Sequence, residues 1–161
     1  MGLRRKIACA TLVLAALGGS LSACGAGDPT EGLISNVDKA RAARTLTSLQ
    51  QGLITVQTTA VESGAAPTAL DLATALQQRD PSNRYTTGPP TDVGIVQVLG
   101  GGGGPVMLVG VNSPPSSGRA PYYLAVWSSG GSTLFYVGQQ APAYSTQPPA
   151  GPGWSSSPSV T

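Results

Sequence analysis

Histidine is absent from the chain. The commonest general base and the commonest metal ligand are therefore missing together. Charge is scarce as well. Asp, Glu, Lys and Arg make up 10% of the residues, and beyond Asp92 the only charged side chain is Arg119. The formal net charge of +2 is concentrated at the start, in Arg4, Arg5 and Lys6; without those three, six basic residues face seven acidic ones. No basic excess remains that would speak for nucleic acid or an acidic lipid surface. A stretch so poor in charge stays soluble through Ser, Thr, Gln and Gly, or is partly covered by something else. Aromatic residues are few, at 5%, and all of them lie at or beyond Tyr85.

What is present begins with a leader. Arg4, Arg5 and Lys6 form a positive segment, and Ile7 to Leu21 an apolar run closed by small residues. This is secretory-signal architecture, set aside when the fold is considered. The competing reading is a membrane-spanning anchor. At 1.5 Å per residue that run makes roughly 22 Å of helix, short of the ~30 Å hydrocarbon core. Gly18, Gly19 and Ser20 weaken its end further. The anchor reading loses.

Directly behind the run stands Leu21-Ser22-Ala23-Cys24. It resembles the L-[AS]-[GA]-C lipobox of bacterial lipoproteins at all four positions, which separates it from an ordinary signal-peptide cleavage site. The resemblance implies that residues 1–23 are removed and that Cys24 carries a diacylglyceryl group as the new N-terminus. Stable anchoring takes two acyl chains, each buried methylene contributing about 0.8 kcal/mol, and a diacylglyceryl group supplies two. The implied location is the extracytoplasmic face of the cell membrane, with the membrane itself a partner through Cys24. Cys9 leaves with the leader, so no disulfide is expected despite an oxidising compartment.

Residues 24–32 read as a lipidated tether and residues 33–140 as one α+β domain. From Ala42 the apolar residues fall at Leu46, Leu49, Leu53, Val56 and Ala60. Those steps of four and three mark one face of a helix over about Ser35 to Glu62. Ile54 and Val61 widen the stripe, and Asp38 and Arg41 form an i,i+3 pair near its start. Gly64 and Pro67 stop it. Thr68-x-x-Asp71 is a capping-box start for a short second helix, with Leu72 and Leu76 on its apolar side, ending at Asp80-Pro81. Asn83 to Pro90 reads as loop.

The period then changes. Val93–Leu99, Pro105–Val111, Tyr122–Trp127 and Thr133–Val137 read as four β-strands in two hairpins, hence an antiparallel sheet. Residues 141–161, with Pro142, Pro148, Pro149, Pro152 and Pro158 among Ser, Thr and Gly, are expected to be a disordered tail. The order of elements, a long helix and a short helix packed on a four-stranded antiparallel sheet, resembles the head domains of type IV pilins and pseudopilins. The stretch from Asp38 through Leu46, Leu49 and Val56 would correspond to the C-terminal half of their spine helix. A lipobox stands where a pilin carries its prepilin-peptidase site and apolar helix. The resemblance therefore implies a pilin-like head on a lipid leash, and not a filament subunit.

Catalytic motifs fail on residues. Gly100 to Gly104 is followed by Pro105 and Val106, not by the Lys and Ser/Thr of a phosphate loop. Lys39, the only lysine past the leader, lies four residues after Ser35, not the three of S-x-x-K. Each carboxylate has a plainer role in a cap, an ion pair or a helix end. No enzyme activity, cofactor or metal is expected.

The aromatics offer the one site hypothesis. With the last turn centred on Ser129-Gly130, Leu124 stands opposite Phe135, and Tyr122, Leu124, Val126, Phe135 and Val137 share the core face. Tyr123, Trp127 and Tyr136 fall on the other face. They are either presented outward as a partner surface, as rigid amphipathic rings often are, or covered by the other hairpin, a loop or the tail. The leading function is a non-enzymatic envelope module that binds another envelope component. The alternative is a carrier of an apolar or lipidic ligand held between helix and sheet.

Overall fold

The computed structural model describes residues 36–112 and 121–159. The leader, Cys24 and the tether lie outside the described residues. Two helices, α1 (Asn36–Glu62) and α2 (Ala69–Arg79), precede six strands: β1 (Arg84–Thr86), β2 (Ile95–Gly100), β3 (Val106–Val111), β4 (Tyr123–Ser129), β5 (Ser132–Gly138) and β6 (Trp154–Ser155). The class is α+β, with the strands in one sheet in sequence order.

α1 buries Ala42, Leu46, Leu49, Leu53 and Val56, the stripe set by the spacing. Thr45, Thr47, Thr55, Thr58 and Thr59 turn their hydroxyls back to carbonyls four residues earlier, which satisfies them in a helix they do not otherwise favour. At Gly52 a Cβ would come within 3.3 Å of Leu76, so this glycine sets how closely α2 approaches. The helix stops in a Schellman motif: Ala65 N–H donates to the Ala60 carbonyl and Gly64 N–H to that of Val61, each at 3.0 Å. No helix among the described residues is long and apolar enough to cross a membrane.

α2 starts at the expected capping box. The Asp71 amide donates to Thr68 Oγ1 at 3.3 Å, and the Thr68 amide donates to Asp71 Oδ2 at 2.9 Å. The Thr68 hydroxyl also donates to Asp71 Oδ2, and that bond first, then the one from the Thr68 amide, holds the Asp71 carboxyl below its ordinary pKa.

The sheet departs from four antiparallel strands in two places. First, the expected loop after α2 contains β1, which pairs parallel to β2 with Tyr85 opposite Val96. It is held there by α2: the Tyr85 amide donates to Gln77 Oε1 at 3.0 Å, and Gln77 Nε2 donates to the Asn83 carbonyl at 2.9 Å. Three residues held by side chains leave too short a pattern for a periodicity to show. Second, β6 adds an antiparallel edge to β5, with Tyr136 opposite Trp154. The expected disordered tail is thus part of the domain, and the sheet is six-stranded and mixed.

The β4–β5 register is Leu124 opposite Val137 and Trp127 opposite Leu134, two residues from the expected pairing. The turn residues are Gly130 and Gly131, at φ 54° and 85°, the left-handed pair that a tight two-residue hairpin requires. A shift of two leaves every side chain on its expected face, because the strand period is two.

Candidate functional site

Both faces of the sheet are covered. On one, α1 and α2 pack over Val96, Val98, Val106, Leu108, Tyr122, Leu124, Val126, Phe135 and Val137. On the other, Met107, Val109, Ala125 and Trp127 form a second core with Leu99, Tyr123, Leu134, Tyr136 and Trp154 against it. Tyr123, Trp127 and Tyr136 do share that face, as the alternation required. They are not an open partner surface. Trp127 is only 1% exposed, and Tyr123 and Tyr136 are half-buried.

The cover on this face is the tail. Trp127 Nε1 donates to the Ser145 carbonyl at 2.9 Å, and the Tyr144 hydroxyl donates to the Pro105 carbonyl at 2.9 Å. Trp154 meets Tyr136 with ring centroids 5.1 Å apart and planes tilted by 49°. Val137 N–H donates to the Gly153 carbonyl at 3.0 Å. The tail does not need a core of its own. Its rings close an apolar face that the sheet would otherwise leave wet.

The hairpin loop expected at Gly100 to Gly104 spans 101–105, with Gly100 closing β2 opposite Val106, and it docks on the start of α2: Gly102 N–H donates to the Pro67 carbonyl at 2.8 Å. Among the described residues no three His, Cys, Asp or Glu side chains gather where a metal could sit. Asp38 and Arg41 stand 4.0 Å apart as the expected i,i+3 pair. The nearby Tyr122 hydroxyl is buried with no hydrogen-bond partner among the described residues. Burial first, and then the Asp38 charge, push it up to about 12, against the opposing pull of Arg41.

The carboxylate of Asp80 collects the densest set of polar contacts. It accepts from Ser82, from Asn83 Nδ2 at 2.7 Å and from the Tyr85 hydroxyl at 2.9 Å. Burial alone would raise its pKa, but those bonds together outweigh it and hold the carboxyl below its ordinary value. Burial, then the Asp80 contact, raises the Tyr85 hydroxyl. Every member of the cluster is bonded within it or to β1, so it is a clamp between α2 and β1 and not a poised acid.

The alternative of a ligand between helix and sheet named no residues; the structure has a cleft of about 620 Å³ where α1 passes the turn end of the sheet. Its helix wall carries Ile54, Gln57, Thr58 and Val61; its opposite wall is the Gly101–Gly104 loop and the Ser128–Gly131 turn; Leu72 and Val106 also line it. Ile54 and Val61 do not extend the buried stripe. They are 46% and 78% exposed, and they stand one above the other, seven residues apart, on the cleft side of α1. Two apolar residues lying off the stripe at that interval were the available signal. Ser128, buried at 7% exposure, donates from Oγ to Gln57 Oε1 at a long 3.4 Å. Of the lining residues only Glu62 is charged.

No family model, curated protein or solved structure matches the chain.

Proposed function

We propose that the chain is an exported lipoprotein, held by lipid on Cys24 at the extracytoplasmic face of the cell membrane, whose body is a non-enzymatic carrier of an apolar ligand. The cleft beside α1 is the observation that carries this reading. Its volume falls within the ~300–1,000 Å³ of small-molecule sites, and its walls combine apolar side chains with a few polar ones. The ligand lies between helix and sheet, at the turn end.

A second reading is a structural or protein-interaction module that docks another envelope protein. Exposed Ile54 and Val61 on the cleft rim favour it; Tyr123, Trp127 and Tyr136 no longer do, because Trp127 is buried and the tail lies on Trp127 and Tyr136. The long helix packed on a sheet whose central pairings are antiparallel supports a pilin-like head on a lipid leash, and the parallel β1 and the tail strand depart from it.

Two experiments test this. Cys24→Ala should abolish lipid labelling and detergent-phase partitioning, and unchanged partitioning would remove the anchor. Mass spectrometry of extracts from the protein purified out of membranes should find a small apolar molecule at near-stoichiometric amount. An empty protein that cross-links in the membrane to one defined envelope protein through residues 54–61 would replace the carrier reading with the docking one.

A further inference from the structure

We infer that the cleft selects an uncharged amphiphile over an anionic one, with a hydrocarbon body and a hydroxyl, ester or amide head, the head being read by Gln57 and Ser128. This rests on the carrier reading of the cleft. Ile54, Val61, Leu72 and Val106 supply an apolar lining, while the glycines of the two turns leave backbone in place of side chains on the opposite side. Added Cβ atoms at Gly103, Gly130 and Gly131 would meet nothing within 4 Å, so these turns face open space.

The polar handle is specific. Ser128 is the only polar or charged residue in the buried set among the described residues. The one hydrogen bond its hydroxyl makes among the described residues, to Gln57, is stretched to 3.4 Å, beyond the usual 2.5–3.0 Å for a hydroxyl on an oxygen acceptor. A buried hydroxyl prefers a well-made bond, and this pair retains unspent capacity: the two amide hydrogens of Gln57 and the lone pairs of Ser128. A ligand oxygen inserted at the pair would accept from the Gln57 amide, and a ligand hydroxyl would donate to Ser128 Oγ.

The lining also decides against an anionic head. It contains no Lys or Arg, so a carboxylate or phosphate head would lose its hydration without a counter-charge. The one ionisable lining residue, Glu62, is exposed and repels anions further. Among single-chain lipids this favours a monoacylglycerol or a long-chain alcohol over a fatty acid.

The lipidated full-length protein, in nanodiscs of phosphatidylcholine, is exposed to two diazirine probes of equal chain length, a 1-monoacylglycerol and a fatty acid. The expected result is labelling of residues 54–61 and 128–133 by the monoacylglycerol, competed by excess 1-monopalmitoylglycerol, with the fatty acid at least tenfold weaker. Gln57→Leu, which keeps volume and removes the amide, should weaken labelling roughly five- to tenfold, about the effect of one hydrogen bond. Thr58→Trp, at an exposed helix position, should fill the cleft and abolish labelling without lowering the melting temperature. Equal cleft labelling by both probes would overturn the choice of a neutral ligand and leave a carrier. Undiminished labelling in Thr58→Trp would move the site elsewhere. A folded protein labelled by neither probe would remove the carrier reading as well.

Discussion

The indole of Trp127 donates to the carbonyl of Ser145 at 2.9 Å, across a sequence separation of 18. That bond joins the middle of β4 to a segment whose composition is that of a linker. It makes the far face of the sheet a second core.

Removal of residues 141–161 should therefore unfold or strongly destabilise the domain, with a marked drop in melting temperature and new binding of a hydrophobic dye. The single change Trp127→Phe keeps most of the apolar bulk and loses the bond to Ser145, and should cost about 1 kcal/mol in urea denaturation. Trp127→Ala should cost about 3–5 kcal/mol, as for a large buried aromatic. An unchanged urea midpoint in the truncated chain would show that the tail contributes nothing to stability.

Gly100 should tolerate no side chain. Its φ is +84°, and a Cβ there would lie 2.7 Å from the Tyr144 hydroxyl and press on the Pro105 carbonyl, the two groups that bond to each other. Gly100→Ala is expected to destabilise by about 1–3 kcal/mol, the usual range for a strained backbone position. Gly103→Ala, with a similar φ and open space around it, should cost less. Urea midpoints of the two variants side by side check the ranking.

Thr68→Ala removes one half of the capping box of α2 and should cost about 1 kcal/mol. The loss should show in amide hydrogen exchange as faster opening of α2 first, before the central strands. Uniform acceleration across the chain would mean that α2 does not open separately.

The Asp80 clamp should give stability a defined pH dependence. Its folded-state pKa lies below the ordinary carboxylate value, so its contribution is present above about pH 4 and is lost as pH falls through the folded value. Tyr85 and Tyr122 are shifted the other way. Their contribution is complete below about pH 10, the unfolded tyrosine value, and is lost as pH rises above it. The urea midpoint should hold steady between these limits and fall outside both. Asp80→Asn should flatten the acid limb, and Tyr85→Phe should reduce the alkaline one; an acid limb unaltered in Asp80→Asn would assign it to other carboxylates.

The pieces legible before folding are those that depend on neighbours along the chain. Leu46, Leu49, Leu53 and Val56 have to share one side of a helix because a helix repeats every 3.6 residues. Thr68 and Asp71 cap α2 because they stand three apart; the last hairpin was legible too, but its turn lies on Gly130-Gly131, where both residues accept positive φ, and not on Ser129-Gly130. The two faces of β4 and β5 survived a register two residues away from the expected one, since alternation tolerates an even shift. β3 carried a further signal: Val106-Met107-Leu108-Val109-Gly110-Val111 is apolar without interruption, the mark of a strand covered on both sides, and every residue of it is buried.

What lies on each face depends on contacts between segments remote along the chain. That Trp127 is core follows from Ser145, Tyr144 and Trp154, which are remote in sequence and poor in apolar residues around them; local composition measures a segment's own capacity to bury surface, not the surface another element offers it. β1 pairs in parallel because Gln77 holds it, not because three residues show a period. The cleft exists because Ile54 and Val61 on α1 face two glycine turns from separate hairpins, and no stretch of sequence contains both walls.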